Sequence, residues 1–172
     1  MTLAVISDTH LPRGTRRIPE PCLDRLRTAD LILHAGDFTA ASVLDELEML
    51  GPPVHAVHGN MDDAALRGRL PGALVVDAGG LRIGMTHDAG ARTGREERLV
   101  RRFPGCAAVV YGHTHEPQVT RVGEVWILNP GSPTERRRAP SHTMLVLDVA
   151  DGRISPQLIS LSSSSSQPRS AT

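Results

Sequence analysis

A chain of 172 residues, 40% hydrophobic and 22% charged, has the size and composition of one globular domain able to bury a core without disulfide or metal staples. Nineteen basic residues against nineteen acidic ones give zero formal net charge, which argues against a strongly basic nucleic-acid binder and an electrostatic membrane anchor. Four aromatics (Phe38, Phe103, Tyr111, Trp126) are too few for a base-stacking platform, and the absence of lysine excludes Schiff-base, pyridoxal and P-loop chemistry.

The first predicted strand is the apolar run Leu3–Ser7. Leu23 and Leu26 mark a short helix after Pro21, followed by a strand over Leu31–His34. Ala40–Leu50 places Val43, Leu44, Leu47 and Leu50 on one stripe, the signature of an amphipathic helix. Val54–Val57 is the next strand, and Leu74–Asp77 and Leu81–Thr86 flank a Gly79-Gly80 hairpin turn. Thr93–Arg102 opens with Thr93-x-x-Glu96, a capping box, and carries Leu99 and Val100 inward. Ala107–Tyr111 closes the alternating part of the chain. Four strands follow, Val119–Val122, Val125–Leu128, Thr143–Asp148 and Arg153–Ile159, with turns at Gly123-Glu124 and Ala150-Asp151-Gly152. This order predicts an α/β protein of two packed sheets with helices outside. The Ser-rich stretch from Ser162 predicts a disordered tail, so the domain runs over 1–161 and the tail over 162–172.

The apolar run at the N-terminus is too short for a signal peptide, and no apolar stretch approaches the ~20 residues of a membrane span. Cys22 and Cys106 are far apart and form no CxxC pair, so the expected setting is the reducing cytoplasm.

The residues after each strand carry the chemistry. Asp8 and His10 follow the first strand, Gly36-Asp37 the second, Gly59-Asn60-Met61-Asp62 the third, His87 the Leu81–Thr86 strand, and Gly112-His113-Thr114-His115 the Ala107–Tyr111 strand. Sites in open α/β sheets form beyond the carboxyl ends of strands. Taken singly, each of these pieces is a common turn; their order and placement together give them weight. Four imidazoles, two carboxylates and one amide oxygen suit Mn, Fe, Zn or Co rather than Ca or K. Seven ligands are too many for one catalytic metal and about right for two metals sharing a carboxylate.

The ordered set Ser7-Asp8-Thr9-His10, Gly36-Asp37, Gly59-Asn60-x-Asp62, Thr86-His87 and Gly112-His113-Thr114-His115 resembles the calcineurin-like metallophosphoesterases. Asn129-Pro130-Gly131-Ser132 narrows the resemblance to the small phosphodiesterases of the YfcE type. It spans about residues 1–159. The resemblance implies a four-layered α/β sandwich around a dinuclear centre of divalent ions, manganese first and Fe, Zn, Co or Ni as alternatives. It implies that Asp8, His10, Asp37 and His115 hold one ion, and Asp37, Asn60, His87 and His113 the other. Asn60 would also contact the phosphate, and a metal-bridging hydroxide would be the nucleophile. Many relatives carry a histidine where this chain has Met61, so the general acid is open. Asp62 is read as orienting a metal-binding histidine and Met61 as packing. Asn129 is placed near the site by the resemblance.

His34 and His58 are expected to pack or to orient turns, and His55 and His142 to be structural or exposed. Cys106 is expected in the core. Arg13, Arg16 and Arg17, and likewise Arg136 to Arg138, are expected to be solvated loop residues, with phosphate contact as the alternative. Expected partners are a small phosphodiester or other phosphoester substrate, no specific nucleic acid, no membrane, and optionally a second copy of the chain. Two alternatives stay open: an inactive interaction scaffold of the same fold, like the retromer scaffold subunit, and a dinuclear amide or ester hydrolase.

Overall fold

Alternation along β1 (Thr2–Ile6) sets the architecture: Leu3 and Val5 point one way, Ala4 and Ile6 the other, and all four are buried. A half-exposed strand would bury only one set, so β1 has packing layers on both faces. The computed structural model describes residues 1–161, and the expected tail over 162–172 lies outside them.

In the first sheet β1 pairs in parallel with β2 (Leu31–His34), which pairs in parallel with β3 (Val54–Ala56). On its other side β1 runs antiparallel to β9 (Thr143–Ala150), which pairs with β10 (Arg153–Ser160). The second sheet has the order β4 (Ala73–Ala78), β5 (Leu81–Thr86), β6 (Ala108–Val110), β8 (Val125–Asn129), β7 (Gln118–Val122). Within it β5, β6 and β8 run parallel. Leu3, Val5 and Leu33 of the first sheet share one core with Ile83, Met85 and Val110 of the second. Cys22 and Leu26 of α1 (Glu20–Thr28), Val43, Leu44 and Leu47 of α2 (Ala41–Glu48) and Leu66 of α3 (Ala64–Arg69) cover Ala4, Ile6 and Ile32. Leu99 of α4 (Arg95–Arg102) and Phe103 cover Val109, Tyr111 and Ile127 on the far side. Three apolar interfaces therefore separate four layers, the predicted α/β sandwich. Cys106 is buried, as expected.

Two local readings are corrected. The Thr93 capping box does not form: Gly94 occupies the cap position at φ 64°, no side chain among the described residues caps α4, and the helix starts at Arg95. The short helix α3 is an addition to the predicted elements; the Asp63 carboxylate nucleates it by accepting from the Leu66 amide at 2.8 Å. Among the described residues no helix is long and apolar enough to cross a membrane.

Candidate metal centre

Because β1, β2 and β3 are parallel, and β5 and β6 are parallel, the loops after these strands collect at common rims. The structure brings all seven sequence-predicted side chains together there. His10 Nε2 lies 3.2 Å from His115 Nε2 and 3.6 Å from Asp37 Oδ2, and His115 Nε2 lies 3.2 Å from Asp8 Oδ1. On the other side of Asp37, His87 Nε2 lies 3.4 Å from Oδ2 and 3.1 Å from Asn60 Oδ1, which is 2.9 Å from His113 Nδ1. Metal–ligand bonds of about 2.0–2.2 Å place neighbouring ligand atoms roughly 3–3.5 Å apart, so these spacings could accommodate a metal ion. Asp8, His10 and His115 form one group whose ligand atoms lie within 4.8 Å of one another, and Asp8, Asp37 and His87 form an overlapping one.

The hydrogen bonds behind the ligands decide which atoms face inward. His87 Nδ1 lies 2.8 Å from the Ala35 carbonyl, which accepts only from an N–H. In a neutral ring the Nε2 lone pair then points at the Asp37 and Asn60 oxygens. His115 is fixed likewise by the Glu135 carbonyl, leaving its Nε2 lone pair toward Asp8 and His10. Lone pairs converging on carboxylate oxygens fit a bound cation, and a carbonyl behind each imidazole is the usual support for a metal-binding histidine. Protonation tendencies differ from group to group across the cluster. Burial opposes charge on His87, but the Asp37 hydrogen bond and the Asp8 and Asp37 charges outweigh it and raise its pKa. For His10 burial wins over Asp37 and Asp8, and its pKa is lowered. Burial also opposes ionisation of Asp37, yet the His87 hydrogen bond and charge and the Met61 amide hold its carboxyl below the usual range.

The backbone is bent to make this possible. Asp8, His10, Asp37, His113 and His115 all have positive φ, between 45° and 69°. Asp and His tolerate this region better than most residues, but each such position carries some strain, which characteristically collects at functional sites. Gly59 and Gly112 allow the close approach. A Cβ on Gly59 would sit 2.1 Å from Asp37 Oδ1, and one on Gly112 would sit 2.0 Å from Ser7 Oγ.

Asp62 supports the site differently from the expectation. It bonds no histidine; it accepts from the backbone amides of Asp37 (3.1 Å), Thr39 (2.7 Å) and Gly59 (2.7 Å), and so ties the Asp37 and Asn60 loops together. Met61 is not packed: its side chain is 55% exposed, and its amide donates to Asp37 Oδ1 at 2.7 Å. Asn129 Nδ2 donates to the Gly112 carbonyl and the Thr114 hydroxyl, fixing the His113–His115 loop. Ser132 and Thr134 are absent from the predicted site residues, yet their hydroxyls donate to the Asp8 and Thr9 carbonyls at 2.7 and 2.6 Å. Arg13 and Arg16 pair with Glu135, Arg136 donates to the Ala139 carbonyl, and Arg137 reaches the His113 carbonyl at 3.5 Å.

His34 is fully buried beneath the site, stacked on Phe38. Its Nδ1 accepts from the Gly36 amide at 3.1 Å, so its Nε2 carries the proton that faces the Thr9 hydroxyl at 3.2 Å. Burial, reinforced by His87, pushes its pKa well below 6.5. Below pH 6.5 the unfolded chain gains a proton at His34 that the folded chain refuses. The stability it confers is therefore present above that pH and is lost as pH falls toward the folded value, at up to about 1.4 kcal/mol per pH unit. Urea midpoints of metal-free protein at about pH 7.5 and 5.5, on either side of the unfolded histidine pKa, should fall less for His34→Gln than for the parent chain. An equal or larger fall in the variant would show that His34 is not the acid-sensitive group.

Comparison with known proteins adds the lineage. The family model for the calcineurin-like phosphoesterase superfamily domain matches residues 1–152. A probable metallophosphoesterase of Methanothermobacter thermautotrophicus is 38% identical over 153 residues, covering 86% of this chain and 87% of that protein. A phosphodiesterase of Methanocaldococcus jannaschii is 29% identical over 147 residues, covering 76% and 83%. Among solved structures, Vps29 of Entamoeba histolytica complexed with zinc is 27% identical with a TM-score of 0.73, covering 93% of this chain and 99% of that one. Fold and sequence agree: the chain belongs to the calcineurin-like phosphoesterase superfamily.

Proposed function

We propose that this protein is a dinuclear metal-dependent phosphodiesterase. The observation that carries the reading is Asp37 Oδ2, which stands between His10 Nε2 at 3.6 Å and His87 Nε2 at 3.4 Å. One carboxylate oxygen between two imidazole groups is the arrangement that two ions sharing a ligand require. Asp8, His10, Asp37 and His115 would hold one ion; Asp37, Asn60, His87 and His113 the other. Two divalent ions, manganese foremost among Mn, Fe, Zn, Co and Ni, would acidify a water lying between them and neutralise charge growing on phosphorus.

The chain's own residues do the rest. Met61 N–H fixes Asp37 with one oxygen turned inward, and Ala35 and Glu135 fix the His87 and His115 rings. Asn60 presents Oδ1 to the histidines, and its side-chain amide makes no donor hydrogen bond among the described residues, which leaves it free for a phosphoryl oxygen. Hydrolysis adds water oxygen to phosphorus, breaks one P–O ester bond and passes a proton to the departing alcohol. No histidine stands at Met61 to deliver that proton, which favours good leaving groups. A cytoplasmic setting and small soluble substrates complete the reading.

The test is hydrolysis of bis(p-nitrophenyl) phosphate by metal-stripped protein titrated with Mn²⁺. Turnover should rise with added metal, saturate near two equivalents and vanish on chelation. Metal binding without turnover under any of the five ions would sink the enzyme reading and favour a scaffold of this fold.

A further inference from the structure

Beside the Asn60–His87 side of the centre lies a cleft of about 450 Å³, bounded by His58, Asn60, Arg67, His87, Asp88 and Arg102. Its two arginines come from separate elements, Arg67 from α3 and Arg102 from the last turn of α4. Arg67 is oriented, not neutralised. Its Nε donates to the Asp62 carbonyl at 3.0 Å and one terminal nitrogen to the Asn60 carbonyl at 2.7 Å, and no carboxylate lies within ion-pair distance among the described residues. Arg69, two residues on, is by contrast held by Asp45 and Glu48. Arg102 likewise has no ion pair among the described residues; its guanidinium rests 5.5 Å from the Phe103 ring. The one carboxylate on the cleft wall, Asp88, is engaged by the Gly90 amide.

A guanidinium whose Nε and one terminal nitrogen are spent on backbone carbonyls keeps its other N–H donors for a ligand, and planar arginine forks suit phosphate oxygens. The carbonyl that Arg67 grips belongs to Asn60, so this cation is registered against the residue proposed to meet the phosphoryl group. We propose that the cleft is a second-phosphate subsite: the preferred substrate is a phosphodiester bearing a further phosphate group, held by Arg67 and Arg102 while the ester bond lies at the centre. This rests on the phosphodiesterase reading and names its substrate class.

Two chromogenic diesters test it on the full metal-loaded chain: the p-nitrophenyl ester of thymidine 5′-phosphate, and the same ester carrying a 3′-phosphate. The 3′-phosphorylated probe should show a kcat/KM roughly tenfold higher, with the gain in KM. Arg102→Gln should bring the ratio of the two probes close to one. Arg67→Met should do the same, but it also frees the Asn60 carbonyl, so the exposed Arg102 decides. Calorimetry gives a readout independent of turnover: thymidine 3′,5′-bisphosphate should bind more tightly than thymidine 5′-phosphate, and Arg102→Gln should remove the difference. Hydrolysis of both probes with equal kcat/KM would overturn the subsite and leave the phosphodiesterase reading standing. Hydrolysis of neither would overturn that reading, and equal affinities for the two nucleotides would then overturn the subsite as well.

Discussion

Asp37→Asn is expected to lower metal-dependent turnover by at least about a thousandfold, a barrier increase of about 4 kcal/mol, while leaving the fold intact. The replacement has the same shape, and the Met61 amide that donates to Oδ1 at 2.7 Å can still do so. The inward oxygen becomes an NH₂ group. It faces His10 and His87 across 3.6 and 3.4 Å and would donate to the His87 Nε2 lone pair, placing a proton where a cation was to sit. Metal content measured by atomic emission should fall below two equivalents. The metal-free variant should melt somewhat lower than the parent at neutral pH, because the folded chain favours the ionised Asp37 through the His87 hydrogen bond and the Met61 amide. Near-parental turnover would refute a bridging role for Asp37.

The second large effect is expected from Gly59→Ala, a change that replaces none of the seven side chains proposed to hold metal. The new methyl would lie 2.1 Å from Asp37 Oδ1 and 2.5 Å from the Asp37 backbone nitrogen. The nitrogen belongs to rigid main chain that also donates to Asp62, so neither partner can step aside cheaply. Overpacking of this kind costs typically about 1–3 kcal/mol of stability. A shift on the order of 1 Å at Asp37 should cost about a hundredfold or more in kcat. Circular dichroism melting and the bis(p-nitrophenyl) phosphate assay read the two effects separately. Gly68→Ala on α3, where an added methyl meets nothing within 4 Å, is the control: it should leave turnover close to that of the parent and raise melting slightly through helix propensity.

The sites at the strand ends are legible in the sequence because each is announced by side-chain type. A buried run such as Leu31–His34 stops at Gly36-Asp37, a common turn by itself that gains weight because four other strands also end at Asp, Asn or His. The four layers are legible from β1 and β2, whose residues are apolar on both faces. What stays hidden lies in the main chain. The Ala35 and Glu135 carbonyls, which fix the ring orientations of His87 and His115, carry no side-chain signature. Asp62 reads as a partner for histidine because carboxylates often play that part; its actual partners are three amides brought near only by the fold. Thr93 looks like a cap because its spacing to Glu96 is right, but Gly94 turns left-handed there and takes the position. Ser132 and Thr134 sit 124 and 125 residues from the carbonyls they bind, a pairing no local pattern encodes.

The sheet order has a consequence for how the molecule would come apart. The chain leaves the first sheet after β3, builds the whole second sheet, and returns to the first at β9. Asp8, His10, Asp37 and Asn60 hang from the outer frame; His87, His113 and His115 hang from this excursion. Ions held by all seven would act as rivets along one rim of the seam between frame and excursion. Away from that rim the seam is apolar contact with a side-chain tether, the Trp126 indole donating to the Ile154 carbonyl at 3.1 Å. Emptying the centre would therefore loosen the sandwich like a book opened from its clasped edge, and refilling it would draw the covers together.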